Sequence, residues 1–593
     1  VRPTTESGQK WLQNLSFQLP MIGQDEIIKQ IEKLPSSHQG VLLTGETGIG
    51  KSRVAYEAYQ RVFYNYQFAH VEAFPSQANE PYSILRKLIL QLMDRQSLQD
   101  LPNQLRRKLT PVFPEIVADI DIHKAPLKLP PVDALVELGR GIKSILANES
   151  STQQLLIVID DIQHCDYASF RILLDLVKDG FFRSDNFLMM TADLNLVSPG
   201  RMDRINSLQE AITFLPILPL PIDEAELLIS QFLDRTVPAN LIELLYKETK
   251  GNLHLMLSTI HNFQDSLINE DSINHLVMTN AISLPNWYIS QRQQLSKDAA
   301  DLLEYCAVLV SPIQHNLLEI ATGWGPERII NALDELELYS FLAPMVKESV
   351  LSGYRFKHQI LRTRTVEKIT LAKMRKIHLA LIRAFKKYFV AGIDQVAANI
   401  VDHCFGAGEL LMALDYTLMA AEYANESYAP DVSNQLFVRM DKAIQENLHL
   451  FTDLHIRKFY GLWAQTNLQF NELEAAKTHA EHLLQQGRNR GSKYLIGTSF
   501  LYLGIVESVL QLVPADSMQL FDQAILTLEQ LPPSLELIHC KVEKAYYYST
   551  FNQQNIARQL CQEILNTSNP DQSREDEYQR LLNRTKFSLA FLY

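Results

Sequence analysis

The stretch Gly45-Glu46-Thr47-Gly48-Ile49-Gly50-Lys51-Ser52 constrains this chain more than any other. It fits the pattern G-x-x-x-x-G-K-[ST], with the apolar run Val41-Leu42-Leu43 before it and a helix-compatible stretch, Arg53 to Val62, after it. A strand that turns through glycines into a helix aims several backbone N–H groups at one point, and the helix N-terminus adds the positive end of its dipole. The implied ligand is the phosphate tail of a nucleotide. Residues 45–52 (Gly45, Glu46, Thr47, Gly48, Ile49, Gly50, Lys51 and Ser52) form the expected cradle. In it Lys51 would reach the β and γ phosphates and the Ser52 hydroxyl would take one position on Mg²⁺.

That loop accounts for only one part of 593 residues, a length with room for about three to five domains. Hydrophobic residues at 46% and charged residues at 21% are ordinary for a globular chain, and no apolar run approaches the ~18 residues of a membrane span. The chain opens on Val1, so residues 1–20 read as a linker from a missing N-terminal region. The five cysteines, Cys165, Cys306, Cys404, Cys540 and Cys561, are scattered and lack metal-ligand spacing, which suits a reducing cytoplasm. A formal charge of −13 argues against nucleic acid as a partner of this chain.

Beyond the loop, short apolar runs alternate with amphipathic stretches, the pattern of a parallel sheet wrapped by helices. Strands are expected near Phe68–Ala73, Leu155–Ile159, Phe187–Thr191 and Ile212–Leu215. The run Leu155-Leu156-Ile157-Val158-Ile159 delivers Asp160 and Asp161 to the C-terminal edge of the sheet, where ligands of open α/β sheets bind. Asp160 is placed to hold Mg²⁺ opposite Ser52, and Asp161 to orient an attacking water, with Lys51 as the catalytic cation. Asp161 also reads as a helix cap, although Asp166 is better placed for the helix beginning near Tyr167.

With these residues in view the chain resembles the STAND-type signal-transduction ATPases of the AAA-like branch, found in bacterial regulators fused to cyclase, kinase or DNA-binding domains. Met21-Ile22-Gly23-Gln24-Asp25-Glu26 is similar to that family's opening box over the nucleotide, which brings Gln24 into the site. Glu80-Pro81-Tyr82-Ser83-Ile84-Leu85 resembles a Pro-Tyr-x-x-Leu signature, and Asp160-Asp161-Ile162-Gln163-His164-Cys165-Asp166 its extended acidic box. Gly251-Asn252-Leu253-His254-Leu255 stands where the family has Gly-Asn-Pro in a helical lid. Tyr354-Arg355-Phe356-Lys357-His358 looks like the element that ends its winged helix, which implies that His358 contacts the phosphates. A structural histidine at a helix entry is the alternative. The departures fall on nucleotide-handling positions: Gln24 for Arg, Leu253 for Pro, and Thr191-Ala192-Asp193 where an Arg would sense the γ-phosphate. Arg183, Arg201 or Arg204 is the alternative source of that charge. A missing cation costs rate at a transferring phosphoryl group, so low turnover is expected.

From Pro221 the sequence reads helical, with Asp223 placed to cap the first helix and Leu227, Leu228, Phe232 and Leu233 forming one face. The organisation expected is a P-loop ATPase domain over 21–220, a helical lid over 221–280, a winged helix over 281–385 and an all-α, tetratricopeptide-like solenoid over 386–593. The repeat reading rests on Ala443, Ala480, Ala524 and Cys561, spaced 37, 44 and 37 residues apart. Such a solenoid commonly holds peptide or protein on its concave side, although it also serves as a spacer. The basic run Arg362, Arg364, Lys368, Lys373, Arg375 and Lys376 reads as a solvated helix face or a phosphate contact. The functional expectation is an ATP-binding, Mg²⁺-dependent switch with slow hydrolysis and a helical sensor or protein-binding arm, with self-association left open. A transcription regulator whose DNA-binding domain lies elsewhere, and a scaffold with a degenerate nucleotide site, are the rival expectations.

Overall fold

The computed structural model describes residues 21–113, 116, 131–151, 153–183, 186–197, 199–233, 236–263, 288, 291–309, 312–347, 350–357, 359–510, 515–550 and 553–590. Apart from the stretch 127–135, residues up to Gly408 pack as one compact unit and residues from Glu409 as another.

The first unit is built on a five-stranded parallel sheet. Its strands are β1 (Gly40–Thr44), β2 (Gln67–Glu72), β3 (Leu155–Asp160), β4 (Phe187–Ala192) and β5 (Ile212–Pro216), in the order β2-β3-β4-β1-β5. β1, β3 and β4 are buried along their whole length, which is why they read as continuous apolar runs rather than alternating ones. On one face Val41, Leu43, Leu156, Val158 and Met189 pack with Val54, Ala55, Ala58 and Tyr59 of the helix Lys51–Arg61 and with Ile28 and Ile31 of the helix Asp25–Lys33. The register places Glu72 beside Asp160 and Thr44 beside Ala192, so four strands deliver their last residues to one edge.

Helices Ile222–Leu233, Ala239–Thr249 and Leu253–Phe263 follow and share a core of Leu228, Ile229, Leu241, Ile242, Leu245 and Met256. Two details of the expected first helix change. Asp223 lies in its first turn rather than at its cap, and Leu227 points to solvent at 52% exposure while Ala225 takes the inward place. Next come helices Lys297–Leu309, His315–Thr322 and Pro326–Leu338, then an antiparallel pair, β6 (Leu342–Lys347) and β7 (Val350–Phe356). Ile313 adds a short bridge to Tyr354 through two bonds of 2.8 and 2.9 Å. Gly353 permits this approach, because a Cβ there would meet the Ile313 carbonyl oxygen at 2.9 Å. In the basic run after β7, Arg362 donates to the Ala307 carbonyl, Arg364 pairs with Glu367, and Lys373 with Asp301 and Glu304.

The second unit is helical, from Leu410–Glu426 to Glu575–Ala590. Each helix packs on the next, and helices 410–426, 453–469, 493–510, 535–550 and 575–590 also pack on one another in turn, as stacked helix pairs do. The small residues that mark the sequence spacing, Ala443, Ala480, Ala524 and Cys561, are all buried. All five cysteines are buried and unpaired by disulfides. Among the described residues no helix is long and apolar enough to cross a membrane.

Candidate functional site

The loop between β1 and the helix Lys51–Arg61 needs two glycines for different reasons. Gly50 sits at the N-cap with φ +110°, a conformation that side chains oppose. Gly48, at φ +88°, lies so close to the helical segment after Gly251 that a Cβ would meet Asn252 Oδ1 at 2.8 Å and His254 Cβ at 3.0 Å. The helix begins at Lys51, two residues earlier than the sequence suggested, so the Lys51 and Ser52 N–H groups belong to its first turn and have no intrahelical acceptor.

Lys51 is buried, and its ammonium donates to the Gly45 and Glu46 carbonyl oxygens at 2.9 and 3.0 Å. Burial lowers its pKa, opposed by the fields of Asp161, Asp193 and Asp160. Ser52 Oγ donates to Asp160 Oδ1 at 3.1 Å. Thr191 Oγ1 donates to the same oxygen at 2.9 Å, and His70 Nε2 lies 3.0 Å from Asp160 Oδ2. Burial alone would raise the Asp160 pKa, but His70, Thr191 and Ser52 outweigh it and hold the group below its ordinary value. Asp160 is therefore a fixed anion.

Its neighbour behaves oppositely. Asp161 has left-handed backbone, φ +56°, with its N–H on Thr191 Oγ1 at 2.9 Å and its carboxylate held by Gln163 Nε2 at 2.9 Å. Burial and the charge of Asp160 push its pKa up to about 6. Asp166 caps the helix Tyr167–Lys178 through the Ser169 N–H, as expected, and also accepts from Tyr82 N, Ser83 Oγ and Ile84 N, which ties the Pro-Tyr segment to the acidic box.

Two residues tie the loop from opposite sides. Asp193, after β4, accepts from Thr47 N at 2.8 Å and Thr47 Oγ1 at 3.0 Å. Asn252 Nδ2 donates to the Thr47 carbonyl at 2.9 Å, and the His254 N–H to the Gly48 carbonyl at 3.0 Å. Burial, with Lys357 nearby, brings the His254 pKa down to about 4, so its ring is neutral at physiological pH. From β7, Arg355 reaches the Glu72 carboxylate at 3.4 Å, next to Asp160 in the sheet.

Residues 45–52, Asp160 and Asp161 thus converge, whereas Gln24 contacts the Leu218 carbonyl at 3.5 Å, on the segment leaving β5. His358 lies outside the described residues. Arg201, one candidate for the sensing cation, is buried, donates to the Ile162 and Gln163 carbonyls and lies over the Tyr167 ring. Arg204 faces the same ring at 5.7 Å. His70, Thr191 and the roles of Asp193 and Asn252 were not readable in advance, because each depends on strand register or on how the lid folds back.

Residues 20–189 match the family model described as AAA ATPase domain, so this part of the chain is an AAA-type ATPase domain, a class that binds nucleotide. No curated protein matches the chain. Among solved structures, the chain is similar to a Signal Transduction ATPase with Numerous Domains from Pyrococcus horikoshii that has a tetratricopeptide repeat sensor. The identity is 13%, over 97% of this chain and 86% of that one, with a TM-score of 0.33. The ORC2 protein of Aeropyrum pernix, in ADPNP-ADP complexes, is 15% identical over 59% of this chain and 95% of its own, with a TM-score of 0.33. RuvB of Thermotoga maritima is 15% identical over 59% and 96%, with a TM-score of 0.26.

Proposed function

We propose that the chain is an ATP-binding signal-transduction switch of a bacterial multidomain regulator, with slow hydrolysis and a helical sensor or protein-binding arm. The observation that carries this reading is the convergence of Lys51, Ser52 and Asp160, with the Ser52 hydroxyl 3.1 Å from an ionised, buried carboxylate at the start of a helix. A hydroxyl beside a carboxylate fits a small cation that prefers oxygen donors and keeps phosphate and water in its remaining positions. Ser52 and Asp160 would hold Mg²⁺, which when bound neutralises charge on the phosphates. The N–H groups at the start of the helix would bind phosphate oxygens, for which Lys51 would exchange its two loop carbonyls. Asp161, held by Thr191 and Gln163 and ionised above about pH 6, would take the proton of an attacking water.

Slow turnover follows from the cations. Arg201 is committed to two carbonyls and a ring, and Asp193 brings a negative charge where a sensing cation would help. The bound state would be read by the helical lid, through Asn252 and His254. A winged-helix element formed by helices 297–338 with β6 and β7 would read it through Arg355. The stacked helix pairs fit a tetratricopeptide-like arm that takes a protein or peptide.

Thermal melts and phosphate release of the full chain test this. Binding to the native state alone must raise the transition temperature, by the equivalent of about 2.7 kcal/mol at a hundredfold excess over Kd. ATP·Mg²⁺ should therefore stabilise the wild type and leave Lys51→Ala unmoved. No shift in the wild type, or an equal shift in Lys51→Ala, overturns the nucleotide reading. Fast phosphate release that Lys51→Ala abolishes overturns only its slow-switch part.

A further inference from the structure

Asp193 is a buried carboxylate that spends one oxygen on the phosphate loop. Its Oδ2 accepts from both the backbone N–H and the hydroxyl of Thr47, at 2.8 and 3.0 Å. The other oxygen accepts from the Asn195 N–H at 3.2 Å, and the Asp193 backbone N–H donates to Gln163 Oε1 at 3.2 Å, so both carboxylate oxygens and the backbone of this residue are held. It is only 6% exposed, and its field reaches the Lys51 ammonium. From the other side Asn252 grips the Thr47 carbonyl.

A carboxylate on a loop N–H does what a phosphate oxygen would do there. An N–H already held by a carboxylate is not free for a phosphate oxygen, and like charges brought together in a partly buried site repel. In a bound nucleotide the phosphates nearer the sugar would be drawn to the N–H groups of Gly50, Lys51 and Ser52 at the helix start, where the dipole is strongest. Thr47 stands three residues earlier, at the outer end of the loop, and meets what lies furthest along the ligand. Resting on the nucleotide reading above, we infer that Asp193 is a specificity-determining residue that disfavours the terminal phosphate. The chain prefers a nucleoside diphosphate and accepts a triphosphate only when Asp193 leaves Thr47. Release of Thr47 also frees one side of the residue that Asn252 holds, so entry of the third phosphate is coupled to the lid.

The test is calorimetric titration of the full chain, in Mg²⁺, with ADP and with the non-hydrolysable β,γ-imido analogue of ATP. The wild type should bind ADP about tenfold or more tightly than the analogue. Asp193→Asn keeps the shape and an acceptor but drops the charge. It should tighten the analogue about tenfold while ADP affinity stays within about threefold. Thr47→Ala, an exposed position, removes the hydroxyl that shares the carboxylate and should shift the ratio in the same direction by less. Melts of the ligand-free variants show whether each is folded, and Thr47→Ala carries the test should Asp193→Asn fail that check. An unchanged ratio in the folded variants, or an equal loss of both ligands, overturns the role of Asp193 and leaves the nucleotide site standing. Failure of the wild type to bind either ligand overturns both.

Discussion

The sheet edge of the first unit and the helical second unit both bury charge, and they balance it differently. In the helical unit Glu536 is 2% exposed and is held by Arg457 and, at 2.8 Å, by Arg574, which also pairs with Glu577 at 2.6 Å. The two guanidinium groups outweigh burial and keep the Glu536 pKa below its ordinary value. The charges close on themselves. At the sheet edge the charges of four carboxylates, Asp161, Asp193, Asp160 and Glu46, act on the Lys51 ammonium, while N–H groups at the start of the helix have no intrahelical acceptor. Surplus acid beside surplus donors is a balance that a divalent cation and an anionic ligand together would restore. Buried charge alone does not mark a site, whereas an unclosed ledger of charge and donors does.

Three substitutions sharpen or break this contrast. The largest effect is expected for Glu536→Ala, which leaves the buried Arg457 guanidinium without its main partner and should destabilise the helical unit by about 3–5 kcal/mol in denaturant melts. A loss under about 1 kcal/mol would show the network to be screened by water, and the contrast would fall.

Asp161 comes next, with the opposite sign. Its folded pKa is about 6 against an ordinary 3.8, so between these values the folded protein holds a proton that the unfolded chain has released. Any stability this supplies is complete at low pH and lost as pH rises through about 6, leaving a penalty on the order of 2–3 kcal/mol at neutral pH. Asp161→Asn should therefore stabilise the protein at pH 7.5 and do so much less at pH 4.5. An equal gain at both values would show that the carboxylate is not under strain from Asp160. Asp160 itself, with its depressed pKa, must show the reverse trend, contributing stability above its unfolded value that is lost in acid.

The smallest effect belongs to Asn252→Ala. It removes the bond to the Thr47 carbonyl and an acceptor for the Leu255 N–H, worth about 1 kcal/mol together, and should speed nucleotide release by about threefold to tenfold in stopped-flow measurements. Unchanged release would mean that this contact does not gate the site.

Much of the sheet was legible because its physics is local. Leu155–Ile159 is apolar throughout, and a fully buried strand follows, with Asp160 as its last residue. The phosphate loop and the Asp166 cap were legible for the same reason, since glycine spacing and a capping side chain act within a few residues. Leu227 was misread because an amphipathic pattern leaves its phase open by one residue, and Ala225 filled the inward place that size alone would not have given it. The partners of Asp160 were out of reach for another reason. His70 is 90 residues away and Thr191 is 31, and both arrive through strand order rather than through any periodicity. Asp193 was visible only as an oddity of sign, and its bond to Thr47 required the neighbouring strands β1 and β4 to be known.

The bridge between Ile313 and Tyr354 carries a mechanical consequence. It staples β7 to the chain between helices 297–309 and 315–322, so the hairpin cannot tilt without dragging those helices along. Arg355, beside the bridged Tyr354, therefore meets the Glu72 carboxylate from a strand anchored on both sides, by β6 and by Ile313.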